Sequence, residues 1–396
     1  MLRQDDLTAD FSILLPEDAA AARATLERDL AATLRPARDY FEDRVELLRQ
    51  WVSHRQSVIG EQWLLGLIDP SRAATLFSIL AEAVVATMLP LVTTTLAYNQ
   101  GRVLTGRFAV VALGKLGSRE MTVQSDLDLL FVYEAPPWAE ETDGPEPAAT
   151  TAYYAKLGQR LIAALSVMTG KGSLFDVDMR LRPFGDSGPI ATSLNAFKRY
   201  YRNDAWTWEL MALTRARVIA GDPDFAERVT DEIRLILTRP RAQHVVLADI
   251  ADMRERIARQ HPSTVAWDCK HRRGGLIDIE FIAQALQLIH AADKPGVLAH
   301  ATADALERLG AEGCLPPDTV AGLSGSLSFW QSLQGLMRVT QDRAGLSKPS
   351  PQLFDKVLMD LTGLEEFDAR EARATAAAAI ASRHYDTMIG TARRPG

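Results

Sequence analysis

Gly114-Lys-Leu-Gly-Ser-Arg-Glu-Met-Thr-Val-Gln-Ser-Asp-Leu-Asp-Leu-Leu-Phe-Val-Tyr133 is the stretch that decides how this chain is read. Just before it, Arg107-Phe-Ala-Val-Val-Ala-Leu-Gly114 is short, apolar and β-branched and stops at glycine, the pattern of a buried strand. Leu127 to Tyr133 predicts a second strand. Successive side chains of a strand point to opposite faces, so Asp126 and Asp128 share one face while Leu127 and Leu129 enter the core. Two carboxylates ~7 Å apart at Cα on one face repel each other. The pattern suits either a solvated strand end or a pair of hard oxygen ligands for Mg²⁺, a cation that takes carboxylates, waters and substrate phosphates.

The segment from Leu174 to Leu181 alternates strictly and predicts a third strand. Phe175-Asp-Val-Asp-Met-Arg-Leu-Arg-Pro183 would put Asp176, Asp178, Arg180 and Arg182 on one face, with Val177, Met179 and Leu181 on the other. A carboxylate beside the first pair could close a two-metal site, in which ions ~3.5–4 Å apart hold the attacking and leaving oxygens. Arginines following it on the same face suit a triphosphate or pyrophosphate. The plainer alternative is a cross-strand ladder of ion pairs on an exposed face. Acidic groups for metal beside basic groups for phosphate form a phosphoryl- or nucleotidyl-transfer layout. Lys115, in the turn before Gly117, either reaches a phosphate or is an ordinary solvated lysine. Gly185-Asp-Ser-Gly-Pro189 is either a plain turn or a pocket lining in which Gly185 and Ser187 present backbone N–H groups.

Outward from these strands the chain is helical. Asp18–Leu34, Tyr40–Leu67 and Ser71–Asn99 have helical composition or period and look like packing surface. Glu134 to Ala149 is acidic and proline-rich and reads as a mobile surface loop. Ala152 to Thr169 returns to helical period, and from about Ser193 onward nearly everything is helix. With 396 residues there is room for about two to three domains. The net charge of −7 argues against general nucleic-acid binding, which needs a basic face. Two cysteines, Cys269 and Cys314, exclude a disulfide framework or a four-cysteine zinc site. The start lacks the apolar core of a signal peptide. The most apolar stretch, Ala74–Val92, is interrupted by Glu82 and Pro90 and reads as a buried helix with no membrane role. The expected compartment is the cytoplasm.

Trp206 and Trp208 are two apart and cannot share a helix face, so at least one is expected in the core, with adenine stacking the minor alternative. Lys270, Arg272 and Arg273 precede Gly274-Gly275 and a helix whose first turn carries Asp278. That acid suits the positive end of the helix; alternatively the basic turn faces the phosphates or a protein substrate. His261, His290 and His300 lack metal-ligand spacing, which makes zinc an unpromising reading.

A glycine and small polar residue (Gly117-Ser118), then Asp-x-Asp on the next strand, then a lone Asp on a later one resembles the polymerase-β-type nucleotidyltransferase pattern. More narrowly, five collinear segments resemble the glutamine synthetase adenylyltransferase/adenylyl-removing enzyme family. They are Gly114-Lys-Leu-Gly117 with Ser125-Asp-Leu-Asp-Leu129; Val177-Asp-Met-Arg-Leu-Arg-Pro183; Ala205-Trp-Thr-Trp-Glu209; Arg215-Ala-Arg217; and Arg273-Gly-Gly-Leu-Ile-Asp-Ile-Glu-Phe281. That family carries two such domains in tandem, one removing AMP and one adding it. The Trp206–Glu209 and Cys269–Gly275 segments look more like the adding half, so the resemblance implies a fragment or a lone-domain relative.

The resemblance implies an α+β fold: a polymerase-β-like nucleotidyltransferase core with a small mixed sheet at 102–220, a helical segment at 1–101 before it and a C-terminal helical bundle at 221–396. It implies that Asp126, Asp128 and Asp178 bind Mg²⁺ and carry catalysis, with Asp178 a candidate for taking the proton. Asp176 falls where the motif asks for no acid. Gly117 and Ser118 match the phosphate-contacting turn, the first by letting backbone approach and the second by adding a hydroxyl. The implied reaction is AMP transfer from ATP to a tyrosine hydroxyl of glutamine synthetase, with the PII signal protein as regulator and glutamine as a possible effector. The alternatives are phosphate-dependent removal of AMP, or a non-catalytic module sensing PII or glutamine.

Overall fold

The computed structural model describes residues 15–35, 41–166, 174–263, 265–339, 358–359 and 367–392. The first helices begin at side chains that cap them. Asp18 accepts the Ala21 N–H at 2.8 Å and opens α1 (Ala19–Leu34). After α2 (Phe41–Leu64), Asp69 accepts the Arg72 N–H at 2.7 Å and opens α3 (Pro70–Gln100), with Pro70 in the first turn, where no N–H is needed. Both α1 and α2 pack on α3. Among the described residues α3 is the one helix long and apolar enough to cross a membrane, yet 72% of its most apolar window is buried inside the protein. Glu82 lies in the middle of that window with no exposed surface.

Next come β1 (Arg107–Ala112), a single turn of helix α4 (Gly114–Ser118), β2 (Leu127–Glu134), α5 (Thr150–Ser166), the two-residue strand β3 (Val177–Asp178) and β4 (Ala191–Ser193). The chain then runs through α6 (Leu194–Asn203) and α7 (Thr207–Leu213) to β5 (Arg217–Gly221). The five strands make one mixed sheet, in which β1 lies antiparallel between β2 and β5. On the other edge of β2, β3 pairs parallel with its start and β4 parallel with its end. From Leu129 to Val132 every residue of β2 is buried, so both sheet faces are covered. Within β2, Asp128 interrupts that burial.

The expected strand over Leu174–Leu181 shrinks to Val177–Asp178. The cause is local. The Asp178 carboxylate accepts the backbone N–H of Arg180 at 2.8 Å, an Asx-type turn that bends the chain away from β2 before it returns as β4. The face shared by Asp176, Asp178, Arg180 and Arg182 therefore ends at Asp178. The acidic loop after β2 is also more tightly held than its composition suggests. Asp143 accepts the Arg102 N–H at 2.7 Å, and the Gly144 and Glu146 N–H groups donate to Gln100 and Asn99.

The described residues fall into two compact units. The first holds residues up to 197 with 217–230, so the boundaries expected at 101 and 220 both lie inside it. Helices α1–α3 and the sheet belong together. The second unit holds 198–216 and the helices from residue 231 onward: the end of α8 (Pro223–Leu237), α9 (Gln243–Gln260), α10 (Leu276–His290), α11 (Thr302–Ala311), α12 (Pro317–Val339) and α13 (Phe367–Met388). At its centre Asp278 is fully buried, accepts the Gly274 N–H at 2.6 Å and is paired with Arg254 and Arg273. Asp278 stands in the first turn of α10, where its charge is met by these two arginines. Arg272 lies over the Trp330 ring and Arg273 over the Tyr385 ring. Neither tryptophan is buried, against the expectation that at least one enters the core: Trp206 is 70% and Trp208 37% exposed, because α7 turns Glu209, Met211 and Leu213 inward instead.

Candidate active site

Strand pairing brings two of the sequence-selected acids side by side. In the parallel β2–β3 ladder Asp128 is the register partner of Asp178, one step after Leu127 and Val177. Partners in such a ladder stand on the same face, about 4.8 Å apart at Cα. Asp126 is exposed, one residue before β2, and Asp176 is exposed, one residue before β3, with its backbone carbonyl accepting the Leu127 N–H at 2.8 Å.

The turn after β1 closes over this pair. The Leu113 N–H donates to the Asp128 carbonyl at 2.9 Å, which ties the entry of α4 to β2. Gly114 follows with φ +52°, and a Cβ there would overlap the Asp128 carboxylate. Only glycine gives both the left-handed backbone and the space. Gly117 and Ser118 are buried at the end of α4. The Ser118 hydroxyl donates into its own turn, 3.2 Å from the Gly114 carbonyl and 3.4 Å from that of Lys115. Lys115 is half-buried in the same turn.

Arginines hold the turn from behind. Arg217, at the start of β5, donates to the Gly117 carbonyl at 2.7 Å and to the Leu116 carbonyl at 3.0 Å, and pairs with buried Glu82. Arg119 meets Glu82 at 3.0 and 3.1 Å, and Arg23 at 3.4 Å. Burial pushes the Glu82 carboxyl up, but hydrogen bonds and charge from Arg119 and Arg217 outweigh it and hold the group below the usual range.

On β3, Arg180 grips Asp178, with Nε 3.1 and 2.9 Å from the two carboxylate oxygens and Nη2 2.5 Å from Oδ2. That contact is the main reason the Asp178 carboxyl sits below the usual range, which makes it a weak base as it stands. Arg182 turns the other way. It is buried, donates to the Met179 carbonyl at 2.8 Å and the Gly188 carbonyl at 3.3 Å, and approaches Asp186, so it braces the loop. Gly185 and Ser187 bound one 3₁₀ turn, and the N–H groups of Gly185, Ser187 and Gly188 donate to the carbonyls of Arg182, Phe184 and Gly185.

Among the described residues no three His, Cys, Asp or Glu side chains converge on one point. Two facing carboxylates beside a cradle that a Cβ would fill still fit a hard divalent cation, which keeps waters and substrate phosphates as its other ligands. Sequence reasoning missed two contributors. Gly114 was visible as a strand end and as the start of a resembling segment, but its closeness to Asp128 depends on the β1–β2 register. Glu82 was visible as a charge inside an apolar helix, a costly placement that signals buried partners, but nothing local named them.

A five-stranded mixed sheet with flanking helices and paired carboxylates on neighbouring strands is an α+β nucleotidyltransferase fold. Residues 5–232 match the family described as Glutamate-ammonia ligase adenylyltransferase. The chain belongs to that family. Residues 244–379 match a second family, GlnD PII-uridylyltransferase. Three curated relatives bear the name bifunctional glutamine synthetase adenylyltransferase/adenylyl-removing enzyme. The one from Rhodopseudomonas palustris (strain BisB5) is 37% identical over 93% of this chain and 37% of its own length. The Bradyrhizobium diazoefficiens protein is 38% identical over 89% of this chain and 35% of its own length. The Brucella suis biovar 1 protein is 40% identical over 93% of this chain and 37% of its own length. The chain therefore spans a little over a third of the length of the curated relatives it matches.

Proposed function

We propose that this chain transfers AMP from ATP to a tyrosine hydroxyl of glutamine synthetase, releasing pyrophosphate. The observation that carries the reading is the Asp128–Asp178 pair, aligned across β2 and β3 beside the Gly114 turn, in a chain of this family. Asp128 and Asp178, with Asp126 at the strand entrance, would hold Mg²⁺. Bound there, the ion would supply charge neutralisation at the phosphates and Lewis-acid assistance at the reacting oxygens. Lys115 and Arg180 would orient the phosphates. Gly117 lets the backbone approach, and the Ser118 hydroxyl can donate after rotating away from the Gly114 carbonyl. In the transfer, the tyrosine oxygen would form the new bond to the α-phosphorus, the bond to pyrophosphate would break, and the hydroxyl proton would pass to water.

The relatives' shared name also supports a second reading, removal of AMP from modified glutamine synthetase; the same carboxylates would serve it, with phosphate taking the AMP. The match of residues 244–379 supports a PII-type signal protein as regulator. Glutamine would be a candidate effector and the cytoplasm the compartment. Incubation of the chain with labelled ATP, Mg²⁺ and glutamine synthetase decides between the directions. Label on glutamine synthetase supports transfer. Release of ADP from adenylylated enzyme on adding phosphate, without labelling, would overturn it in favour of removal.

A further inference from the structure

Arg180 contacts both oxygens of Asp178 through its guanidinium, while its backbone N–H independently holds Oδ1 at 2.8 Å. A carboxylate offers about four lone-pair directions, and this one residue occupies nearly all of them. A divalent cation needs one of those directions at short range, and a guanidinium in the same place repels it. The two groups compete for Asp178.

The competition is set up to be reversible. The Arg180 side chain is 76% exposed, whereas Asp178 is only 16% exposed. An ion pair with one partner in water is weak and exchangeable. The backbone hydrogen bond does not involve the guanidinium, so it keeps the carboxylate oriented when the side chain leaves. Two residues from Asp178, a released Arg180 stays within reach of whatever the cation brings, and its planar fork suits phosphate.

We propose that Arg180 is a positioning residue with two alternating partners: it occupies Asp178 until a divalent cation takes that carboxylate, and then turns to the phosphates arriving with the cation. This rests on the nucleotidyl-transfer reading above. The consequence is a pair of effects of opposite sign. Removing the guanidinium strengthens binding of the bare metal and weakens binding of the metal–nucleotide. A merely structural role would move both the same way, and a simple phosphate ligand would move only the second.

Calorimetric titration of the full chain with Mn²⁺ alone, and separately with ATP in excess Mg²⁺, tests this. For Arg180→Gln the Mn²⁺ Kd should fall about three- to fivefold, the scale of an exposed ion pair, while the ATP Kd rises about tenfold. Arg180→Lys, which keeps the charge, should return the Mn²⁺ Kd most of the way to wild type. An unchanged or higher Mn²⁺ Kd in Arg180→Gln overturns the proposal while leaving the site intact. Asp178→Asn separates the two levels: if it binds Mn²⁺ as tightly as wild type, Asp178 is no metal ligand, and the proposal and the site assignment fall together.

Discussion

Gly114 lies so close to Asp128 that one added methyl group would take the space of the carboxylate. Gly114→Ala should therefore damage chemistry more than folding. The left-handed backbone at φ +52° makes alanine cost more than about 1 kcal/mol. Displacing the carboxylate should cut AMP transfer on the order of a hundredfold, the usual effect of a 1 Å misplacement. Initial rates and a thermal melt on the same protein check both parts; a variant with wild-type rate would show that Asp128 tolerates displacement.

Asp178→Asn should be far more harmful to AMP transfer than Asp176→Asn, because only Asp178 is the register partner of Asp128. On the proposed metal site, Asp128→Asn and Asp126→Asn should likewise lower the rate by orders of magnitude with the fold intact, since each swap would remove a ligand's charge but keep its shape. The reverse order for positions 176 and 178 would place the third ligand two residues upstream.

Glu82→Gln should destabilise the first unit by about 3–5 kcal/mol, the scale of breaking a buried ion pair by removing one partner. The acid is fully buried and faces Arg23, Arg119 and Arg217. Its folded pKa lies below the ordinary 4.5, so its contribution is complete above that value and is lost as pH falls through the folded pKa. The stability gap between wild type and Glu82→Gln should thus be widest near neutrality and narrow below about pH 4.5. Urea denaturation across that range measures it, and a gap independent of pH would mean that Glu82 is not ionised in the fold.

ATP binding should depend on Mg²⁺. The chain carries a net charge of −7, and the facing carboxylates of Asp128 and Asp178 repel a polyanion unless a cation offsets their charge. Titrating ATP in excess chelator should show affinity lower by at least about tenfold. Equal binding with and without chelator would leave Arg180 and Lys115 as the whole phosphate site.

The strands and their acids were legible because a period of two survives without knowledge of neighbours, as Leu127–Tyr133 shows. Asp128 against Asp178 needed only the assumption that the two strands pair. What the pattern could not show was where alternation stops. Asp178, Arg180 and Arg182 alternate in sequence, but an Asx turn at Asp178 sends Arg182 into the loop, where it bonds backbone carbonyls. Trp206 and Trp208 misled for a related reason: apolar bulk predicts burial, yet α7 buries Glu209, which accepts hydrogen bonds from the Tyr200 hydroxyl at 2.5 Å and the Trp206 N–H at 2.8 Å. Long-range partners such as Glu82 and Arg217, 135 positions apart, leave no local trace.

The order in which the sheet is assembled has a consequence for making the protein. β1 ends at Ala112, but its second neighbour, β5, does not begin until Arg217, after the chain has left the first unit at residue 198. During synthesis at about 5–20 residues per second, the β1–β2 hairpin waits several seconds with one buried edge of apolar β1 unpaired. An open edge of that kind is a template for another nascent chain. Any excised catalytic fragment that stops at residue 197 would keep the edge open permanently, and would lose Arg217, which holds the Gly117 turn. The shortest soluble fragment should therefore run past Gly221, even though residues 198–216 belong to the other unit.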